Sequence, residues 1–249
     1  MNQHKKFILT PVSDILQEAI SAMKHIGSGI ETYPLSDYLM QSIFIKMTGA
    51  QEQKMKCIAW ELATNDFDFR RDFMKEFNIE FSAYKDKGKL YSKLIEQIKH
   101  VQKDFKVNKL DKTNIRNNSL VESFLDGTNL LIWSQKSYVT FKDIWKNIAN
   151  TDFALDPTKS SPNLLKKQDD RNKFCLFTVY EEHLYRNRNR IAHNTKSFQQ
   201  NLPALELLKS DGYQYENYFL WFSILILIDE IFMALYKEYL KTLEQKTFI

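Results

Sequence analysis

The stretch Tyr218-Phe219-Leu220-Trp221-Phe222-Ser223-Ile224-Leu225-Ile226-Leu227-Ile228 is the most apolar in the chain, and Asp229-Glu230 ends it at once. A bilayer span needs roughly 20 consecutive apolar residues, so the run reads as the centre of a core helix and no membrane partner is expected. The helical pattern extends on both sides, from Tyr215 to about Leu243, and is apolar on nearly every face. Such a helix has to be enclosed by others. It predicts an all-α protein whose last long helix runs through the middle of the fold.

Outward from that helix the chain offers few places to turn. Only six Gly and five Pro occur among 249 residues, too few for a many-turned sandwich or barrel and suited to long uninterrupted elements. Length and a 43 % hydrophobic content allow one large or two small cores. No internal repeat, low-complexity tract or linker divides the chain, so residues 1–249 are expected to form one helical bundle.

Helical spacing begins near Val12, and Gly27/Gly29, Pro34, Gly88, Pro157, Pro162, Pro203 and Gly212 mark plausible breaks. Leu39, Ile43, Phe44 and Met47, then Met55, Ile58, Ala59 and Leu62, predict a helix over 36–64, in which Gly49-Ala50 is small enough for a neighbour to come close. Further helices are expected near 67–82, 88–105 and 120–134. Thr140-Phe141-Lys142-Asp143 reads as a capping box that opens a short helix to Asn150. Residues 151–168, with Pro157 and Pro162, form the one convincing loop. A basic helix from about Asp169 to His193 follows it.

The two cysteines, Cys57 and Cys175, are far apart, with no CxxC pair and no secretory signal at Met1-Asn2-Gln3-His4-Lys5-Lys6. A reducing cytoplasm is the natural setting. His4, His25, His100 and His183 show no spacing with Cys, Asp or Glu that would close a metal site, so neither a metal nor another cofactor is expected. There is no P-loop, GxGxxG or GxSxG. The aromatics, 14 % of the chain, fill helical cores more often than they stack on bases, and Trp133, Trp145 and Tyr138 are assigned to packing.

Charge singles out one segment. Between Lys159 and Lys196 nine Lys or Arg stand against four acids, an excess of +5 in a chain whose net charge is +4. The excess coincides with Arg186-Asn187-Arg188-Asn189-Arg190-Ile191-Ala192-His193, which is followed by Asn194. Guanidinium groups take phosphate in a bidentate fork, and histidine moves its proton near neutral pH. At roughly 100° per residue Asn189, Arg190 and Arg186 share the His193 face, whereas Arg188 lies about 140° round a straight helix. Arg188 therefore reaches the same phosphate only by its length or across a seam between helices. On the earlier helix, Glu52 lies three and seven residues before Met55 and Ala59, which puts a carboxylate on an apolar stripe, and Lys56 follows it at i+4.

Arg188, Asn189, three intervening residues and His193 resemble the R-[N/D/H]-xxx-H motif of the HEPN superfamily, where it sits on the penultimate helix of an all-helical bundle. Glu52-Gln53-Lys54-Met55-Lys56 resembles the Glu-x-x-x-Lys element that several of those families carry on an early helix, although Cys57 follows where they often have Arg. The resemblance implies a metal-independent endoribonuclease that acts as a homodimer with a composite site, in toxin–antitoxin or antiphage defence, silenced until an antitoxin or regulatory partner releases it. It departs from the toxin subtype in which a tyrosine two residues after the histidine is modified by a partner nucleotidyltransferase, since this chain has Asn194-Thr195.

The chemistry so implied uses the RNA 2′-hydroxyl as nucleophile, leaving a 2′,3′-cyclic phosphate and a 5′-hydroxyl. His193 would be general acid or base, Arg188 would stabilise the phosphorane and Asn189 would orient the histidine or the RNA. Arg186, Arg190 and Asn194 would bind substrate, with Glu52 and Lys56 behind them. The motif holds one histidine while the reaction needs an acid and a base, so a two-fold pair of basic helices is expected. The competing expectation is a non-catalytic helical module that binds RNA or a partner through the same basic helix.

Overall fold

The computed structural model describes residues 3–23, 27, 29–76, 81–107, 110–125, 130–151, 176–193 and 211–247. Every regular element among them is helical: α1 (Gln3–Leu9), α2 (Ser13–Met23), α3 (Tyr33–Asn65), α4 (Phe67–Glu76), α5 (Tyr84–Val101), α6 (Lys112–Asn118), α7 (Glu122–Leu125), α8 (Leu130–Thr151), α9 (Leu176–Thr178), α10 (Arg186–His193) and α11 (Tyr218–Thr247). A π-helical stretch, Val179–Tyr185, joins α9 to α10, and short 3₁₀ turns cover Ile30–Thr32 and Asp211–Tyr215.

α11 is the axis of the bundle. It packs against α3, α5, α6 and α8, and Phe222, Ile224, Leu225, Ile228, Ile231, Phe232 and Leu235 are sealed inside one continuous core that also takes in Ile8, Leu16, Phe44, Leu90 and Phe141. Each such side chain contributes about 1.5–3 kcal/mol by leaving water. The short-run argument against a membrane span needs correction, because the unbroken helix is long and apolar enough by length and composition alone. Burial is what accounts for its apolarity: 83 % of its most apolar window is covered by the rest of the fold.

α3 owes its length to a proline in its first turn and an aspartate just beyond its end. Pro34 sits where a missing N–H leaves no bond unmade, and Asp66 leaves helical backbone while its Oδ1 accepts the Phe69 N–H at 2.8 Å, capping α4. Phe44 meets the rings of Trp221 at 4.9 Å and Tyr218 at 6.0 Å. Two polar residues also enter this interface. Gln51 donates to the Leu225 carbonyl at 2.7 Å, and Lys54 grips both oxygens of Asp229 at 2.7 and 2.8 Å. Asp229 Oδ2 further accepts the Val12 N–H at 2.9 Å, pinning the α1–α2 turn.

Several expected boundaries move. A helix, α1, precedes Val12, and α6 was not anticipated. The helix expected over 67–82 gives way to non-helical residues at 81–83. α5 opens at Tyr84 and runs straight through Gly88, because Lys87, Leu90, Tyr91 and Leu94 bury on one face and packing outweighs the roughly 1 kcal/mol cost of a helical glycine. Thr140 opens no helix: it lies within α8, where its hydroxyl donates to the Lys136 carbonyl at 3.0 Å. The side chain that could cap a helix instead bonds back one turn. Gly49 is exposed, and among the described residues nothing lies within 4 Å of a Cβ built on it, so no neighbour uses its small size. The packing role expected of Trp145 and Tyr138 is met, with Tyr138 5.5 Å from the Phe219 ring and both residues buried. The side chain of Trp133, the loop at 152–168, the start of the basic helix at 169–175 and Cys175 lie outside the described residues.

Candidate functional site at the α3–α10 seam

The basic helix reaches the candidate site through an irregular backbone. From Val179 to Tyr185 its hydrogen bonds skip an extra residue, and α geometry resumes at Arg186. Short π-helical stretches inside α-helices are rare and concentrate at functional sites. The wide turn is held by side chains: Asn187 Nδ2 donates back to the His183 carbonyl at 3.0 Å, Glu181 accepts the Tyr84 N–H at 2.7 Å, and Tyr180 donates to the Ser82 carbonyl at 3.0 Å.

α10 then lies against α3, which settles where Arg188 goes. Its Nη2 donates to Glu52 Oε2 at 3.1 Å and its Nη1 to Asn189 Oδ1 at 3.0 Å. The second Glu52 oxygen accepts from Lys56 at 2.8 Å. Glu52 is thus bridged by two cations, and the group of Lys56, Glu52 and Arg188 keeps a net charge of +1. Arg188 remains about one quarter exposed (24 %) and Lys56 about one third (34 %). A guanidinium has five N–H donors, and among the described residues two of those on Arg188 are engaged, which leaves the cluster donors for an anion.

The other polar residues of the segment gather elsewhere. Arg190 Nη1 donates to Asn187 Oδ1 at 3.3 Å, Asn187 Nδ2 also donates to Glu216 Oε2, and His183 Nδ1 meets Glu216 Oε1 at 3.1 Å. The His183 ring lies 5.1 Å from that of Tyr215. Asn189 and Arg190, expected on one face with Arg186 and His193, send their side chains to different partners. Asn189 is drawn to Arg188 at the α3 seam, Arg190 turns to the cluster around Glu216, and Arg186 is exposed. His193 closes α10 with its backbone; its side chain, and the whole of Asn194, lie outside the described residues.

Sequence reasoning brought Glu52, Lys56, Arg188 and Asn189 to one place, and the structure joins all four. It missed Asn187, His183 and Glu216, whose link spans 29 to 33 residues of chain and has no periodic signature. It also missed Lys87, whose charge is felt together with those of Glu52 and Arg188. No protein-family model, curated protein or solved structure matches this chain.

Proposed function

We propose that this chain is an endoribonuclease of the HEPN type, cutting RNA by attack of the 2′-hydroxyl without a metal ion to leave 2′,3′-cyclic phosphate and 5′-hydroxyl ends. The observation that carries the reading is the Glu52-bridged pair of Arg188 and Lys56 beneath the Arg188-Asn189-x-x-x-His193 motif. A fixed guanidinium with donors to spare is what the developing phosphorane charge requires. Glu52 and Asn189 hold it without consuming it. His193 moves the proton, and because the motif holds one histidine, two protomers facing each other across a two-fold axis supply acid and base together. Toxin–antitoxin or antiphage defence, with a neutralising partner, is the biological setting that this reading carries with it.

The same ion pair also fits a second reading, a non-catalytic helical module in which Arg188 serves as a structural tie and the basic helix binds RNA or a partner. Purified protein incubated with total RNA in EDTA, wild type beside His193→Ala, separates the two. The nuclease reading expects cleavage with cyclic-phosphate ends that His193→Ala abolishes while the fold is kept. Salt-dependent RNA binding without turnover, unchanged in His193→Ala, would establish the module instead.

A further inference from the structure

The π-helical stretch that delivers Arg188 to the seam is braced from behind by a group of side chains that the proposed chemistry does not use. At its centre is Lys87, one turn into α5 and 1 % exposed. Its ammonium donates to the main-chain carbonyls of Phe81 and of Ser82, the latter at 3.1 Å, and stands 5.1 Å above the Tyr180 ring. Tyr180 donates to the same Ser82 carbonyl, and Glu181 accepts the first N–H of α5. The Tyr84 ring contacts Phe177 at 5.5 Å and Tyr180 at 5.3 Å. The two Lys87 hydrogen bonds fix the turn at 81–82 onto α5, and the contacts of Phe177, Tyr180 and Glu181, with the ammonium over the Tyr180 ring, tie that turn and the start of α5 to the helix that carries the motif.

A buried ammonium resting on two carbonyls and a ring is costly when an apolar side chain of similar length would fill the space. The charges that face it are Glu52 from α3, Glu181 from the π-helical stretch, Asp86 from its own helix and Arg188 from α10. No carboxylate of a described residue pairs with it directly. A π turn is itself a poorly bonded conformation that persists only where its surroundings hold it. We propose that Lys87 is a positioning residue: with Tyr180 and Glu181 it clamps the π-helical stretch onto the start of α5, and that clamp sets where Arg188 meets Glu52. Burial, its largest influence, pushes the Lys87 ammonium down to about 7, with the three carboxylates opposing and Arg188 adding to the fall. The clamp therefore loses charge across neutral pH. Its effect on cleavage rests on the ribonuclease reading; its effect on the backbone does not.

Hydrogen exchange on the full chain tests it, comparing wild type with Lys87→Met and Tyr180→Phe near pH 6. The expected result is exchange about ten-fold faster over 179–193 in Lys87→Met and several-fold faster in Tyr180→Phe, with α11 unchanged. In wild type, protection of 179–193 corrected for intrinsic rates rises between about pH 6 and pH 8.5, because the closed clamp sheds a proton that an opened, hydrated Lys87 keeps, and in Lys87→Met it does not. Unchanged protection in both variants overturns the clamp; should Lys87→Met fail to fold, Tyr180→Phe decides alone. In a cleavage assay Lys87→Met lowers kcat and leaves KM. Full cleavage despite lost protection overturns the link to Arg188, whereas absence of cleavage in every protein, with the exchange effect intact, removes the ribonuclease reading and leaves the clamp.

Discussion

Lys54 and Lys56 stand two residues apart on α3, and their surroundings differ in kind. Lys54 faces the core, its side chain 4 % exposed, against an Asp229 whose carboxyl burial pushes up to about 6 while Lys54 draws it back down. Lys56 faces the α10 seam, where it shares Glu52 with Arg188 in partial contact with solvent. A sealed pair is closed to any ligand, so it places α3 against α11 and does nothing else. A part-exposed cluster is weak as a brace but keeps donors for a ligand. Chemistry of the residues alone does not separate the two; burial and leftover hydrogen-bonding capacity do.

The largest effect is expected on the sealed side. Lys54→Met strands the Asp229 carboxylate in the core and should lower unfolding free energy by about 3–5 kcal/mol in urea titration. A loss below about 1 kcal/mol would mean that the pair is not sealed, and the contrast with Lys56 would break. Replacing both partners by apolar residues should recover most of the loss.

Lys87 sharpens the comparison, being buried like Lys54 but, among the described residues, without a carboxylate partner. Its ammonium is held down to about 7 from an ordinary 10.5. Below about 7 the folded and unfolded chains both hold the proton, and the full burial penalty stands. Above it the fold releases the proton while the unfolded chain keeps it, so stability rises with pH up to about 10.5. From about pH 7 to pH 9 wild type should gain about 2 kcal/mol relative to Lys87→Met. Parallel stability curves for the two proteins would show that Lys87 does not titrate in this range.

The contrast also explains what was legible in the sequence. The apolar run at 218–228 and the stripe on α3 are local patterns with a helical period, and both became the helices expected of them. Glu52, Lys56, Arg188 and Asn189 were legible because two local spacings met one chemical requirement. Lys54 was not, since a lysine in a sequence carries no mark of burial; only the packing of α3 on α11 makes it one. The π-helical stretch was hidden for a similar reason, because Glu181, Tyr180 and Asn187 hold it through contacts with α5 and with the main chain of the wide turn. Thr140 and Gly88 misled because their propensities are worth about 1 kcal/mol, less than the burial around them.

Gly49 lies on the exposed side of α3, three residues before Glu52, with open space where a Cβ would be. Gly49→Ala should raise stability by about 1 kcal/mol, since nothing among the described residues would be displaced. The informative result is a split: a gain in thermal midpoint together with loss of RNA cleavage would show that RNA or a second protomer comes close to the backbone there. A fall in stability would place an unnoticed neighbour against α3 in the free protein.

The smallest effect on stability, and the one that most directly separates the two sides of α3, belongs to the Glu52–Arg188 pair. Both side chains keep contact with solvent, at 16 % and 24 %, so screening limits what their attraction adds to the fold. A double-mutant cycle with Glu52→Gln and Arg188→Gln should give a coupling free energy of about 0.5–1 kcal/mol in unfolding. In cleavage the same substitutions should each cost about ten-fold or more, because a guanidinium aimed at a phosphorane acts only where it is held. That disproportion is the signature of a pair kept for chemistry. If the coupling instead reaches the 3–5 kcal/mol expected of a buried pair, with cleavage untouched, then Arg188 is a structural tie like Lys54 and the two sides of α3 are alike after all.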